Sequence, residues 1–234
     1  MEQRAPMHAT PVEYRVSLVP SLPAQAFEEI EVLLGILKGV AHGVQIDIVD
    51  GQFAPHVSWP FTEDDVVHAL EKLSVYTDFE IEMDCMCMNP EMYLDTFVRL
   101  GAKRVVIHAG STENYEACIN HARKNGYRIG IGIKNSISPT LRDELVSKFD
   151  FVQVMGIENI GVQGQPFDMR TLDTIAALRS TFLGLEIAVD GAVNAETIPK
   201  LFAAGVNRFA PGSAIAKAED PLHAYKQLAH MVGL

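Results

Sequence analysis

From residue 15 onward the chain alternates short apolar runs, rich in β-branched residues, with stretches whose apolar positions recur every three or four residues. The β-type runs fall at residues 15–19, 44–50, 79–86, 104–108, 128–134, 151–155, 185–189 and 207–210. The helical stretches are equally regular: Phe27, Ile30, Leu33, Leu34 and Leu37 share one face, as do Val66, Val67, Leu70 and Leu73. Start and stop chemistry punctuates them. Pro20-Ser21 ends the first strand, and Thr62 with Asp65 three residues on forms a capping-box start. Asn89-Pro90 is an N-cap with proline at the first helical position of a helix closing at Gly101. Thr112 opens a helix stopping at Gly126, Ser138-Pro139 and Asp220-Pro221 open two more, and Asn194 caps one ending at Gly205. A glycine-containing loop, residues 156–165, leads to a helix near residues 169–179. Eight strands and eight helices in strict alternation, at roughly 25 to 30 residues per unit, predict an α/β protein built as one (β/α)8 TIM barrel. No linker-like composition interrupts the alternation, which places one domain over residues 15–234 behind an N-terminal extension of residues 1–14.

The second β-type run carries the strongest chemical signal. Val44, Ile46 and Ile48 take one face; Gln45, Asp47 and Val49 take the other, and Asp-Gly and Pro then break the strand. An ionised carboxylate away from water costs several kcal/mol unless paired, hydrogen-bonded or bound to metal, so Asp47 demands an explanation that Asp50, at the strand end, does not. It is either a hydrogen-bonded structural acid or a base or metal ligand near a barrel mouth. Glu82 and Asp84 repeat the pattern on the third strand, opposite Ile81, Met83 and Cys85. The same register puts His108, Lys134, Gln153 and Asp190 at or near the C-terminal ends of strands four to seven, where barrel enzymes do their chemistry.

Composition narrows the partners. A net charge of −11 disfavours nucleic acid and anionic membrane, which need a basic face. Cys85, Cys87 and Cys118 are too few for a disulfide framework and lack the second pair of a structural zinc site, so buried free thiols are expected. Neither an export-type apolar segment at the start nor an apolar run of about 18 residues later is present, which makes the cytoplasm the expected compartment.

With these residues in view, the chain resembles the ribulose-phosphate 3-epimerase family over nearly its whole length. The landmarks are Pro20-Ser21, Ile46-Asp47 with Val49-Asp50-Gly51, Asn89-Pro90-Glu91, His108, Met155, Val189-Asp190-Gly191 and Gly212-Ser213-Ala214-Ile215, in that order. The resemblance implies a barrel of the ribulose-phosphate-binding type, a phosphorylated sugar substrate, a homo-oligomer and no organic cofactor. In that family two aspartates on opposite faces of the sugar remove and return the C3 proton while a metal, held by two His and two Asp, steadies the enediolate. Carried across, the catalytic pair is Asp47 and Asp190. Ser21 takes the position that touches the sugar, Met86 and Met155 the apolar lining, and Gly191, Ala192, Gly212 and Ser213 the phosphate cradle. Ser21 reads equally as a helix cap, and Met most often fills core. His108 is more often a satisfied core residue, and His56 an ordinary loop histidine.

The chain departs from this pattern at both metal histidines, replaced by Gln45 and Asp84. The surviving set of Gln45, Asp47, Asp84 and Asp190 is all oxygen, suiting Mg²⁺, Mn²⁺ or Ca²⁺ better than Zn²⁺. Two carboxylates ~5 Å apart repel by about 3 kcal/mol at an effective dielectric of 20, so the cluster requires a divalent metal, Lys134, or protonation. Asp84 could also sit as a protonated acid against Gln45 in an inert core. Ala192 replaces a glycine whose amide survives the change only if the local φ is negative, which weakens the site without excluding it, and the loop 156–165 lacks the family's Pro-Gly pair. Glu158 in that loop would repel a phosphate if it faced the pocket. Three functions follow: an epimerase-like isomerase on a phosphorylated ketose, an aldolase- or lyase-type enzyme using the same enediolate, or a catalytically silent phosphosugar-binding protein.

Overall fold

In a computed structural model, residues 15–162 and 164–234 are described; the N-terminal extension lies outside them. These residues form strand segments β1 (Ser17–Leu18), β2 (Ser21–Pro23), β3 (Gly43–Val49), β4 (Glu80–Met86), β5 (Arg104–His108), β6 (Arg128–Ile133), β7 (Phe151–Met155), β8 (Glu186–Asp190) and β9 (Arg208–Ala210). The helices are α1 (Phe27–Leu37), α2 (Val66–Glu71), α3 (Leu94–Arg99), α4 (Tyr115–Asn125), α5 (Pro139–Val146), α6 (Arg170–Thr181), α7 (Ile198–Ala204), α8 (Ser213–Ala216) and α9 (Pro221–Met231).

All strands pair in parallel in the order β1-β9-β8-β7-β6-β5-β4-β3-β2. Because β1 and β2 are successive halves of one stretch of chain, the two ends of that order join and the sheet closes. The residues between them make the seam: Val19 N donates to Phe209 O at 2.8 Å, and Pro20 O accepts from Gln45 N at 2.9 Å. Proline has no amide proton to give β3, which is why the first strand reads as two pieces, continuing past the Pro20 stop that the sequence predicts. The fold is the expected (β/α)8 barrel.

Strands buried on both faces supply the core, with Val44, Ile46 and Ile48 meeting Ile30, Leu34 and Leu37 of α1 in one continuous cluster. At the N-terminal ends of the strands the lumen is filled by ions instead. Arg104 bonds Glu82 and reaches Glu186 at 2.5 Å; Arg128 reaches Glu186 at 2.7 Å, and Arg208 reaches Glu82 at 3.2 Å. The Arg104 guanidinium also stacks 3.9 Å from the Phe151 ring centre. This cross-linked layer floors the barrel.

Several helix starts differ from the sequence expectation. Thr62 does not cap: its hydroxyl donates to Gln25 O at 3.0 Å, and Asp65 caps α2 by accepting from His68 N at 3.0 Å. Asn89 takes a left-handed φ of 52° and makes no side-chain cap, so a 3₁₀ turn at Pro90–Tyr93 precedes α3. Thr112 instead accepts from Asn114 N, and α4 begins at Tyr115. Ser138 and Asp220 cap as expected. The described residues contain no helix long and apolar enough to cross a membrane.

Candidate active site

Parallel register sets the site. Asp47 lies beside Asp84 across β3 and β4, and Val49 beside Met86; on the far side Met155 lies beside Asp190 across β7 and β8. The alternation that sends Ile46 and Ile48 outward therefore sends Gln45 and Asp47 into the lumen. Asp47, Asp84 and Asp190 are all buried, with one carboxylate oxygen from each within 4.8 Å of the others. Their side chains meet although they come from separate arcs of the barrel, the first and last barrel strands lying between β3 and β8.

The acids are not equivalent. Asp84 is held by donors at both oxygens: His108 Nε2 at 2.7 Å on Oδ1, and Gln153 Nε2 at 2.9 Å with Gln45 Nε2 at 3.4 Å on Oδ2. Gln45 approaches through its donor nitrogen, so in this arrangement Asp84 accepts from it. Asp47 is pushed up to about 8 by burial and then by the negative charge of Asp84, with the Gln45 amide at 2.9 Å and the nearby Ser21 hydroxyl partly offsetting. Asp190 rises well above the usual carboxylate range by burial and by Asp47 and Asp84, although the Gly191 amide at 2.8 Å favours its ionised form.

Above the acids the pocket is lined by Ser21, Met86, Met155, Gly191, Ala192, Gly212 and Ser213, so every residue proposed from the sequence for sugar or phosphate contact reaches one cavity. Ser21 sits in β2, and α1 is preceded by Ala26 with no side-chain cap, so Ser21 is not a helix cap. Ala192 keeps the cradle by another route than the one expected: its φ is +54°, an alanine held in the left-handed region. The amides of Ala192, Val193, Gly212 and Ser213 have no acceptor among the described residues, and all four residues border the cavity.

Lys134 does not join the acids. It is exposed beyond the end of β6 and lines a separate surface hollow with Tyr115. His56 is likewise exposed and borders a neighbouring groove. Glu158 faces outward in an ion pair with Arg170. Asp50 is a structural residue, accepting from Gln52 N, Phe53 N and Met88 N to tie the loop after β3 to the end of β4.

Two groups have roles that the sequence reading does not assign. His108 and Gln153, placed by register near the ends of their strands, converge on Asp84. Gly132 makes room for the imidazole, since a Cβ there would lie 2.5 Å from Nδ1. The loop after β7 also folds over the mouth: Ile157, Gly161 and Val162 line the pocket, and Ile160 packs with Val49, Ala54, Met86 and Met155.

The residues fit a divalent cation. Three buried acids each bring an oxygen to one point, and the buried Oε1 of Gln45 has no hydrogen-bond partner. Gln45, Asp47, Asp84 and Asp190 would hold it.

The family described as ribulose-phosphate 3 epimerase matches this chain over residues 15–216. The chain is 31% identical to the ribulose-phosphate 3-epimerase of Schizosaccharomyces pombe, over 88% of this chain and 90% of that one. It is 30% identical to that of Mycobacterium leprae, over 92% and 95%. Solved barrels that resemble it in shape include 3-hexulose-6-phosphate synthase from Salmonella typhimurium, with a TM-score of 0.70 at 18% identity over 92% of this chain and 98% of that one. The tryptophan synthase α-subunit of Pyrococcus furiosus has a TM-score of 0.73 at 15% identity, over 94% and 100%. These two likenesses concern the fold alone. With a match that spans the barrel and relatives aligned along nearly their full length, this chain belongs to the ribulose-phosphate 3-epimerase family.

Proposed function

Within this family of carbohydrate-phosphate epimerases, we propose that the chain inverts C3 of a phosphorylated ketose, with Asp47 and Asp190 as the acid/base pair. The observation that carries this reading is the meeting of these two carboxyls, from separate arcs of the mouth, with both proton affinities raised. A carboxyl that titrates near neutrality serves as base when ionised and as acid when protonated. One member takes the C3 proton as the C3–H electrons enter the enediolate; the other delivers its own proton to the opposite face of C3. The pair ends with its protonation states exchanged, and proton exchange with solvent after product leaves resets it for the next turnover. A bound divalent cation supplies Lewis-acid stabilisation of negative charge on the sugar oxygens.

The remaining residues bind and exclude water. Ser21 offers its hydroxyl to the sugar, Met86 and Met155 give the reacting carbon apolar walls, and the free amides of Ala192, Val193, Gly212 and Ser213 receive the phosphate. Phosphate recognition here rests on backbone, because no Lys or Arg is among the described residues that line the pocket. The loop carrying Ile160 closes the mouth over the sugar.

The test is isotope wash-in. Ketose phosphates incubated with the protein and Mg²⁺ or Mn²⁺ in deuterated water should acquire deuterium at C3. A panel of pentulose and hexulose phosphates that stays unlabelled overturns the reading.

A further inference from the structure

The centre contains three buried polar atoms that neither the hydrogen bonding nor the acid/base pair accounts for: Oε1 of Gln45, Oε1 of Gln153 and Nδ1 of His108. Each belongs to a side chain that is essentially inaccessible and whose other polar end rests on the carboxylates. Burying an amide oxygen without a donor costs about 1–3 kcal/mol, so two carboxamides that both turn their oxygens to nothing need a reason. The reason is visible at their nitrogens. In the absence of a cation, three acids facing one cavity attract any N–H within reach, and both carboxamides point Nε2 at them.

We infer that Gln45 and Asp84 make this an all-oxygen centre for a hard divalent cation such as Mg²⁺ or Mn²⁺, with the Gln45 carboxamide reversing on loading to present Oε1. A cation among Asp47, Asp84 and Asp190 repels the partial positive charge of the Gln45 amide group and attracts its oxygen. The reversal exchanges one unpartnered buried atom for another, so the ion–oxygen contact is the net gain. His108 and Gln153 complete the arrangement from behind. They hold Asp84 by both oxygens, fixing the carboxylate that stands in place of an imidazole. Imidazole nitrogen favours zinc, whereas carboxylate and amide oxygen favour Mg²⁺ and Mn²⁺.

This inference rests on the proposed reading of the site, and it is tested without substrate. The chelator-stripped protein is titrated separately with Mn²⁺, Mg²⁺ and Zn²⁺ by calorimetry and thermal shift, and the Mn²⁺-loaded form is examined by pulsed electron paramagnetic resonance. Affinities for most donor sets rise from Mn²⁺ to Zn²⁺, so the ratio of the two is the measure rather than either alone. The expected result is one Mn²⁺ per chain with no directly coordinated nitrogen. In Q45H/D84H, the zinc-to-manganese affinity ratio should rise by about tenfold or more, with nitrogen coupling to Mn²⁺ appearing. D84N should weaken Mn²⁺ by about tenfold or more. Should D84N fail to fold, Q45L serves instead, removing a ligand without removing charge. Nitrogen coupling in the unmodified protein, an unchanged zinc-to-manganese ratio in Q45H/D84H, or a folded protein that binds none of the three ions would overturn it. A protein that binds Mn²⁺ as described but leaves every ketose phosphate unlabelled keeps the inference and rejects the epimerase reading.

Discussion

His108 places Nε2 2.7 Å from Asp84 Oδ1, with both side chains shut away from solvent. The contact spans adjacent strands and makes His108 the principal holder of a residue that differs from the family pattern. His108→Leu leaves that oxygen without its donor, so it should cost about 1–3 kcal/mol in urea unfolding. Mn²⁺ affinity should fall by about 10–100-fold, measured by titration on the folded variant. Lost stability with unaltered Mn²⁺ binding would reduce His108 to a packing role.

Asp47 and Asp190 should divide the reaction. Asp47→Asn and Asp190→Asn are each expected to lower kcat by about 10²–10⁴-fold. Because each acid serves one face, each variant should keep slow deuterium exchange into one C3 epimer while losing net inversion. Nuclear magnetic resonance of both epimers reads the two rates separately, and equal loss of exchange from both would contradict the two-face assignment.

The same acids set a pH dependence of stability. Asp47 binds its proton more tightly folded, with a pKa of about 8, than unfolded, near the usual carboxylate value of about 3.9. The folded state thus holds the extra proton, and stability is greatest below the unfolded pKa and falls as pH rises toward about 8. In chelator, the melting temperature should decline from about pH 5 to about pH 8. Asp47→Asn should flatten that decline and raise stability at the alkaline end, as seen by calorimetry across pH.

Ala192 at φ +54° stores backbone strain at the phosphate cradle. Replacing it with glycine should stabilise the protein by about 1 kcal/mol, raising the melting temperature by roughly 2–4 °C. Phosphate-bearing ligands should bind at least as well, because the amides keep their directions. A destabilised A192G would mean that the methyl group packs more favourably than the backbone resists.

The floor of the lumen offers a contrast. Arg104 bonds two buried glutamates at once; in Arg104→Met, Arg208 still pairs Glu82 and Arg128 still pairs Glu186, so the cost should be about 1–3 kcal/mol, below that of a fully unpaired buried charge, read from denaturant midpoints. Because the floor lies below the acids, the expected change in kcat of the folded variant is small.

Much of this arrangement was legible in the chain, for identifiable reasons. Period-two alternation fixes which way each strand residue points, so Gln45 and Asp47, and likewise Glu82 and Asp84, were assigned together and lie in the lumen together. The ends of elements were less legible. Lys134 follows the lumen register of β6 by number but lies one residue beyond Ile133, where the chain has already left the sheet. Thr62 and Asn89 carry capping residue types, yet Asp65 captures one helix start and a left-handed backbone alters the other. Pro20 looked like a terminator and proved to be a seam, since one missing donor costs little when Val19 and Ser21 pair with the neighbouring strand. What local pattern could not reveal was convergence: Gln153 is 69 residues from Asp84, and only barrel closure brings its amide to that carboxylate.

The arginine–glutamate floor has one more effect. A barrel open at both ends would let water and protons reach its acids from below, whereas this one is a blind well with an ion-bolted base. Whatever enters or leaves, whether sugar or solvent, must use the rim, beneath the loop that packs Ile160 against Val49, Met86 and Met155.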